Sequence, residues 1–270
     1  MKIGIALGGG GAKGYAHIGV LGAFSEAGIE FDVVSGTSIG ALVGAVYAAG
    51  KLSRLEDVSL KYGFKDIPFL LGPTWPARGL FSGNYVERLL GEIVGIENIE
   101  DLGKPFAAVA VDVNRAETVT FTSGSLRTAV HASMAIPGLF TPVQHEDMLL
   151  VDGGVLEPVP VKVLKTLGAD IVVAVDLLSN FSEDCVMADF SLVDIVQRSS
   201  IIAQRRLTEY SFIECPPDVV VSPCLLGVKV LDFHRGRSII EVGREAAQSA
   251  IPELKRLIYE FDKQGVGRPT

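Results

Sequence analysis

Only three cysteines occur in 270 residues, Cys185, Cys215 and Cys224, an odd number without C-x-x-C spacing. The shortage excludes a disulfide framework and a zinc cage, and it fits a reducing cytoplasm. Positive charge is scarce too. Lys and Arg number 24 against 32 Asp and Glu, a net charge of −8, the wrong sign for binding nucleic acid or for strong attachment to an anionic membrane. The start, Met1-Lys2-Ile3-Gly4-Ile5-Ala6-Leu7, stops at glycines and is too short for the apolar region of a signal peptide. The uncharged stretch Val33 to Gly50, with Gly36, Gly40 and Gly44 four apart, imitates a small-residue membrane helix. Its β-branched start and the break at Gly36 leave only about a dozen residues for a helix, the length of a buried core segment. Repeats, linkers and low-complexity tracts are absent, and no His, Cys or carboxylate cluster has metal-ligand spacing.

What remains is ordinary globular usage, 48% apolar and 21% charged. The N-terminal half alternates strand, glycine loop and helix: Lys2–Leu7, Gly8–Gly11, Gly14–Ala27, Phe31–Ser35, Gly36–Gly40, Ile39–Ala49. That alternation is the mark of a parallel sheet covered by helices. A helix over Ser53–Tyr62, a Pro- and Gly-rich excursion from Gly63 to Phe81, and a helix over Gly83–Val94 follow. Strands at Phe106–Val113 and Thr118–Thr122 form an antiparallel pair, and a helix near Leu126–Ala135 ends before Pro137. Strands at Met148–Val151 and Ile171–Asp176 precede a long helix, Asp189–Ile213, a strand, Asp218–Val221, and one or two closing helices over Arg235–Phe261 interrupted near Pro252. The pattern predicts one α/β domain over 1–270, a three-layer α/β/α sandwich with a mainly parallel central sheet.

Three motifs carry chemistry. Gly36-Thr37-Ser38-Ile39-Gly40 fits G-x-S-x-G, in which a serine sits on a sharp strand-to-helix corner and the flanking glycines permit the crowding. Gly9-Gly10-Gly11-Ala12-Lys13-Gly14 follows the first strand and opens a helix, so its N–H groups face an anionic centre. It lacks the acidic residue a dinucleotide fold needs at the end of the next strand, and Lys13 lacks the Gly before it and the Ser or Thr after it of a P-loop. An oxyanion hole built from the N–H groups of Gly9, Gly10, Gly11 and Ala12 survives. For the base, His17, His131 and His145 hold no distinctive position, and His234 is the nominee by chain order of a Ser-His-Asp esterase. Asp152, at the end of Leu149-Leu150-Val151 and before Gly153 and Gly154, is the alternative; a parallel strand would bring it to the sheet edge of Ser38.

Gly9–Gly14, Gly36–Gly40 and Asp152–Gly154 resemble, in order and context, the glycine loop, nucleophile elbow and Asp-Gly-Ala/Gly motif of patatin-like phospholipases, especially the short bacterial members. His131-Ala132-Ser133-Met134-Ala135-Ile136-Pro137, with Phe140 and Pro142, is similar to that family's Ala-Ser-x-Ala-x-Pro block, so the resemblance covers about residues 1 to 180. It implies a Ser-Asp dyad without histidine, Ser38 as nucleophile and Asp152 as base, acting on a lipid or other acyl ester with neither metal nor organic cofactor. Lys13 stands where many members carry arginine, keeping the charge but losing the planar fork. A non-catalytic acyl-ligand or phosphate-binding regulatory protein remains the reading from another class. Asp66–Phe81, which holds the single tryptophan, Trp75, reads either as core cover or as a lid making transient membrane-surface contact. Acyl-chain length and oligomeric state are not set by these motifs.

Overall fold

Short runs of Val, Ile, Leu and Ala make the strands, and their alternation sets two packed faces. A computed structural model of the chain describes residues 1–60, 84–180 and 192–265. Asp66–Phe81 and Cys185 lie outside the described residues. The strands are β1 (Ile3–Leu7), β2 (Val33–Thr37), β3 (Phe106–Asp112), β4 (Glu117–Phe121), β5 (Val143–His145), β6 (Met148–Asp152), β7 (Ile171–Val175) and β8 (Val219–Val221). The helices are α1 (Tyr15–Glu26), α2 (Ile39–Ala48), α3 (Leu52–Ser59), α4 (Asn84–Ile93), α5 (Leu126–Ser133), α6 (Val161–Thr166), α7 (Leu192–Glu214) and α8 (Gly236–Gly265).

All eight strands join one sheet. Its parallel part runs β3-β2-β1-β7-β8, and β4 and β6 both pair antiparallel with β3. Ile5, Leu7, Val34, Val173 and Val175 pack on one face against α1, α2, α5 and α8. Ala6, Val33, Val172 and Ala174 pack on the other against Val161 and Leu164 of α6, with Phe212 of α7 beside them. The result is the expected α/β sandwich, with β1 between its successor β2 and the distant β7. Chain direction across the sheet switches at β1, which opens a crevice beyond the carboxyl ends of the parallel strands.

Several details differ from the sequence expectation. The strand of Asp152 is antiparallel, not parallel, because β5 and β6 form a hairpin that returns along β3. Val143–His145, where the sequence pattern placed no element, forms β5, a three-residue edge strand. The closing segment is one helix running through Pro252. Pro252 and Gln248, whose carbonyl the proline deprives of its helical donor, are both solvent-exposed residues. Among the described residues no helix is long and apolar enough to cross a membrane.

Candidate active site

β3 has two edges, and β4 occupies one of them from Ala108 to Asp112. The other edge is shared by β2 and β6. Thr37, the last residue of β2, is paired with Val109, and Asp152, the last residue of β6, is paired with the next residue, Ala110. Two strands running toward each other thus meet end to end, and the two residues expected to carry the chemistry stand at the junction.

Ser38 turns the corner from β2 into α2 with φ 57° and ψ −126°, outside the usual regions for a side-chain-bearing residue. Its neighbours explain why glycine flanks it. A Cβ on Gly36 would lie 2.4 Å from the Gly40 carbonyl oxygen, and one on Gly40 would lie 2.1 Å from the Leu7 carbonyl oxygen. The corner is held by Ser133, whose hydroxyl accepts the Ser38 N–H at 2.8 Å and donates to the Val109 carbonyl at 2.6 Å. Asp152 is tied to the same segment, its N–H donating to the Ala135 carbonyl at 2.9 Å. The end of α5 therefore clamps both halves of the junction. Sequence reading named Ser133 only inside a family motif; its separation of 95 residues from Ser38 hides the bond.

The Asp152 carboxylate is buried. Oδ1 accepts the Gly154 N–H at 2.8 Å, while Oδ2 makes no hydrogen bond of ordinary geometry among the described residues. Burial pushes the carboxyl up to about 6, opposed by the Ser38 hydroxyl and the Gly154 N–H, which hold it down. Such a group is ionised near neutral pH yet remains a competent proton acceptor. Gly153 is required by close approach, since a Cβ there would stand 2.3 Å from the Val109 carbonyl oxygen.

The glycine loop turns between β1 and a short 3-10 turn at Gly11–Gly14. Two of the four N–H groups expected to face the site are engaged elsewhere: Gly9 donates to Pro158 at 3.0 Å and Ala12 to Val230 at 2.8 Å. Gly10 and Gly11 donate to no partner among the described residues and line the same cavity as Ser38 and Asp152. The oxyanion-binding set contracts to these two. Gly14 packs on Ile39, joining the loop to the elbow. Lys13 is buried behind the loop rather than in the cavity; burial pushes its ammonium pKa down, and the charge of Asp176 supports it.

None of the four histidines lines the cavity. His17 is fully buried beneath the glycine loop with Nε2 at 2.8 Å from the Gly8 carbonyl and its other ring nitrogen unpartnered among the described residues, and burial pushes its pKa down to about 4. His131 pairs with Glu87 at 2.8 Å, and His145 packs on the Phe121 ring. The cavity, about 150 Å³, is walled by apolar side chains, Ile136, Pro137, Val155 and Val230 among them, and by one face of α7. Among the described residues no group of three or more His, Cys, Asp or Glu could hold a metal ion.

Comparison with known proteins agrees with this architecture. The patatin-like phospholipase family model matches residues 5–165, and the chain belongs to that family. An uncharacterized NTE family protein of Mycobacterium tuberculosis is 39% identical over 176 residues, 65% of this chain and 49% of the relative. Lysophospholipase nte1 of Emericella nidulans is 37% identical over 184 residues, 65% of this chain and 12% of the relative. Human patatin-like phospholipase domain-containing protein 6 is 35% identical over 188 residues, 67% of this chain and 14% of that protein. The chain thus spans about half the length, or far less, of these relatives. Among solved structures, VipD of Legionella pneumophila shares the fold at a TM-score of 0.56 with 15% identity, covering 92% of this chain and 67% of that one.

Proposed function

We propose that the chain is a serine acyl hydrolase of lipid esters that works through an acyl-enzyme, from the reducing cytoplasm its cysteine usage suits. The buried Asp152 carboxylate, with the Ser38 hydroxyl against it, carries the reading. A buried carboxylate held only by the Gly154 N–H and the Ser38 hydroxyl, with no cation beside it among the described residues, is costly to ionise, and proton transfer from that hydroxyl gives it a use. In the first half-reaction Ser38 Oγ adds to the ester carbonyl carbon as its proton passes to Asp152 Oδ2. The Gly10 and Gly11 N–H groups, with the N-terminal end of α2, receive the charge that develops on the carbonyl oxygen. Collapse breaks the ester C–O bond, and the departing alkoxide takes the proton from Asp152. Water then adds to the acyl-serine by the same route in reverse, releasing the carboxylic acid.

The apolar cavity wall suits an acyl chain. Relatives named lysophospholipase favour phospholipid or lysophospholipid as the substrate class. A fluorophosphonate probe, which phosphonylates activated serines, is expected to label the native protein on the peptide containing Ser38. Ser38→Ala is expected to abolish labelling and to lower ester hydrolysis by several orders of magnitude while leaving the circular dichroism spectrum unchanged. Undiminished labelling of the alanine variant would remove Ser38 as nucleophile. A native protein that takes no label and hydrolyses no ester would instead fit a non-catalytic acyl-ligand protein.

A further inference from the structure

The long helix α7 carries no family motif, yet one face of it forms a wall of the cavity. Gln197, Ser200 and Gln204, spaced three and four apart, share that face beside the apolar Val196 and Ile201. The Gln204 side chain lies against Gly154. A Cβ on Gly154 would stand 3.1 Å from Gln204 Oε1 and 3.0 Å from Asp152 Oδ1, so the amide and the carboxylate flank the same residue. Gln204 Nε2 donates to Ser200 Oγ at 3.0 Å, which orients the amide, and among the described residues the side chain makes no other hydrogen bond, so Oε1 and the second N–H are available to a ligand.

We propose that Gln204, braced by Ser200, is the alcohol-side specificity residue, binding a free hydroxyl on the leaving alcohol next to the ester; this rests on the hydrolase reading above. The proton taken from Ser38 must return to the leaving oxygen from Asp152. The alcohol half of the ester therefore lies on the Asp152 side, where Gln204 stands, and the acyl half lies toward Ile136, Pro137 and Val230. A hydroxyl is both donor and acceptor, and so matches an amide that presents both an oxygen and an N–H. An alcohol without one leaves Oε1 desolvated and unpaired, which penalises that substrate more than a lost contact alone would. The favoured substrate class is an ester whose alcohol keeps a neighbouring hydroxyl, such as a partial glyceride or a lysolipid.

The test compares 1-monobutyrylglycerol with propyl butyrate, two soluble esters of one acid that differ in the hydroxyls of the alcohol. Gln204→Leu is expected to lower kcat/KM on the glycerol ester about tenfold, the weight of one hydrogen bond, and to raise it on propyl butyrate severalfold, because the amide left unpaired by that alcohol is gone. Fluorophosphonate labelling at Ser38 is expected to be unchanged, which shows that the variant is folded and its nucleophile intact. Gln204→Asn, which keeps the amide but shortens its reach, is expected to fall between the two. Equal losses on both esters, or no loss on the glycerol ester, would overturn the proposal. A native protein that labels at Ser38 but does not discriminate the esters overturns this subsite alone, whereas one that neither labels nor hydrolyses overturns the hydrolase reading with it.

Discussion

Asp152 and His17 are buried ionisable groups displaced in opposite senses for pH. The Asp152 carboxyl is raised from 3.8 to about 6, so its contribution to stability is present below about pH 4 and is lost as pH rises through 6. His17 is lowered from 6.5 to about 4, so the folded state resists protonation and stability is lost as pH falls from 6.5 through 4. Each shift corresponds to about 3 kcal/mol, and between pH 4 and 6 the two slopes oppose each other. Asp152→Asn keeps an acceptor for the Gly154 N–H and removes the buried charge. Urea denaturation of that variant is expected to show stability climbing steadily from pH 4 to 6.5, and at pH 8 a gain over the native chain of up to about 3 kcal/mol, with hydrolysis abolished. A less stable variant at pH 8 would mean that the Ser38 hydroxyl and the Gly154 N–H together more than offset the cost of burying the charge. In the native chain kcat/KM on a soluble ester is expected to rise along a single limb with its midpoint near pH 6.

At the level of elements, the seat of α8 on α1 depends on two small residues. A Cβ on Gly19 of α1 would stand 1.9 Å from the Ile240 carbonyl oxygen, and one on Gly243 of α8 would stand 2.1 Å from that of Ala16. Backbone meets backbone at both points and neither can yield. Gly19→Ala is therefore expected to destabilise by about 1–3 kcal/mol in thermal or urea unfolding. Gly22→Ala on the same helix is the control. Its nearest neighbour is the Arg244 guanidinium at 3.7 Å, so the better helix former is expected to stabilise by up to about 1 kcal/mol. Equal effects from the two changes would mean that the helices are not in close contact. These elements were largely legible beforehand, because runs such as Ile171–Val175 and the glycine punctuation after β1 and β2 are local signals. The direction of β6 was not, since an apolar run ending in Asp152 has the same pattern in a parallel or an antiparallel strand. The loss of Gly9 and Ala12 from the oxyanion set was equally hidden, because Pro158 and Val230, which take their N–H groups, are brought in by the fold alone. The long helix Asp189–Ile213 carries no motif, so its share in the cavity wall is shown by the fold alone.

The molecule as a whole is acidic, with a net charge of −8. A lipid surface bearing negative charge repels such a protein over roughly 10 Å at 0.1 M salt, and the repulsion lengthens as salt is removed. Hydrolysis of lysophospholipid in zwitterionic micelles is expected to fall when anionic lipid is added at low ionic strength, and to recover with added sodium chloride. A rise on adding anionic lipid would point instead to a local basic docking patch. The end-to-end meeting of β2 and β6 on β3 has a kinetic consequence as well. Ser38 and Ser133 are 95 residues apart in the chain, and Asp152 lies further on still, so no early, locally formed substructure contains the working site. Long-range pairing of this kind closes slowly. When the denatured chain is returned to buffer, helical circular dichroism is expected to recover first and probe-reactive Ser38 only after β6 has docked, so reactivity marks the last stage of folding rather than its average progress.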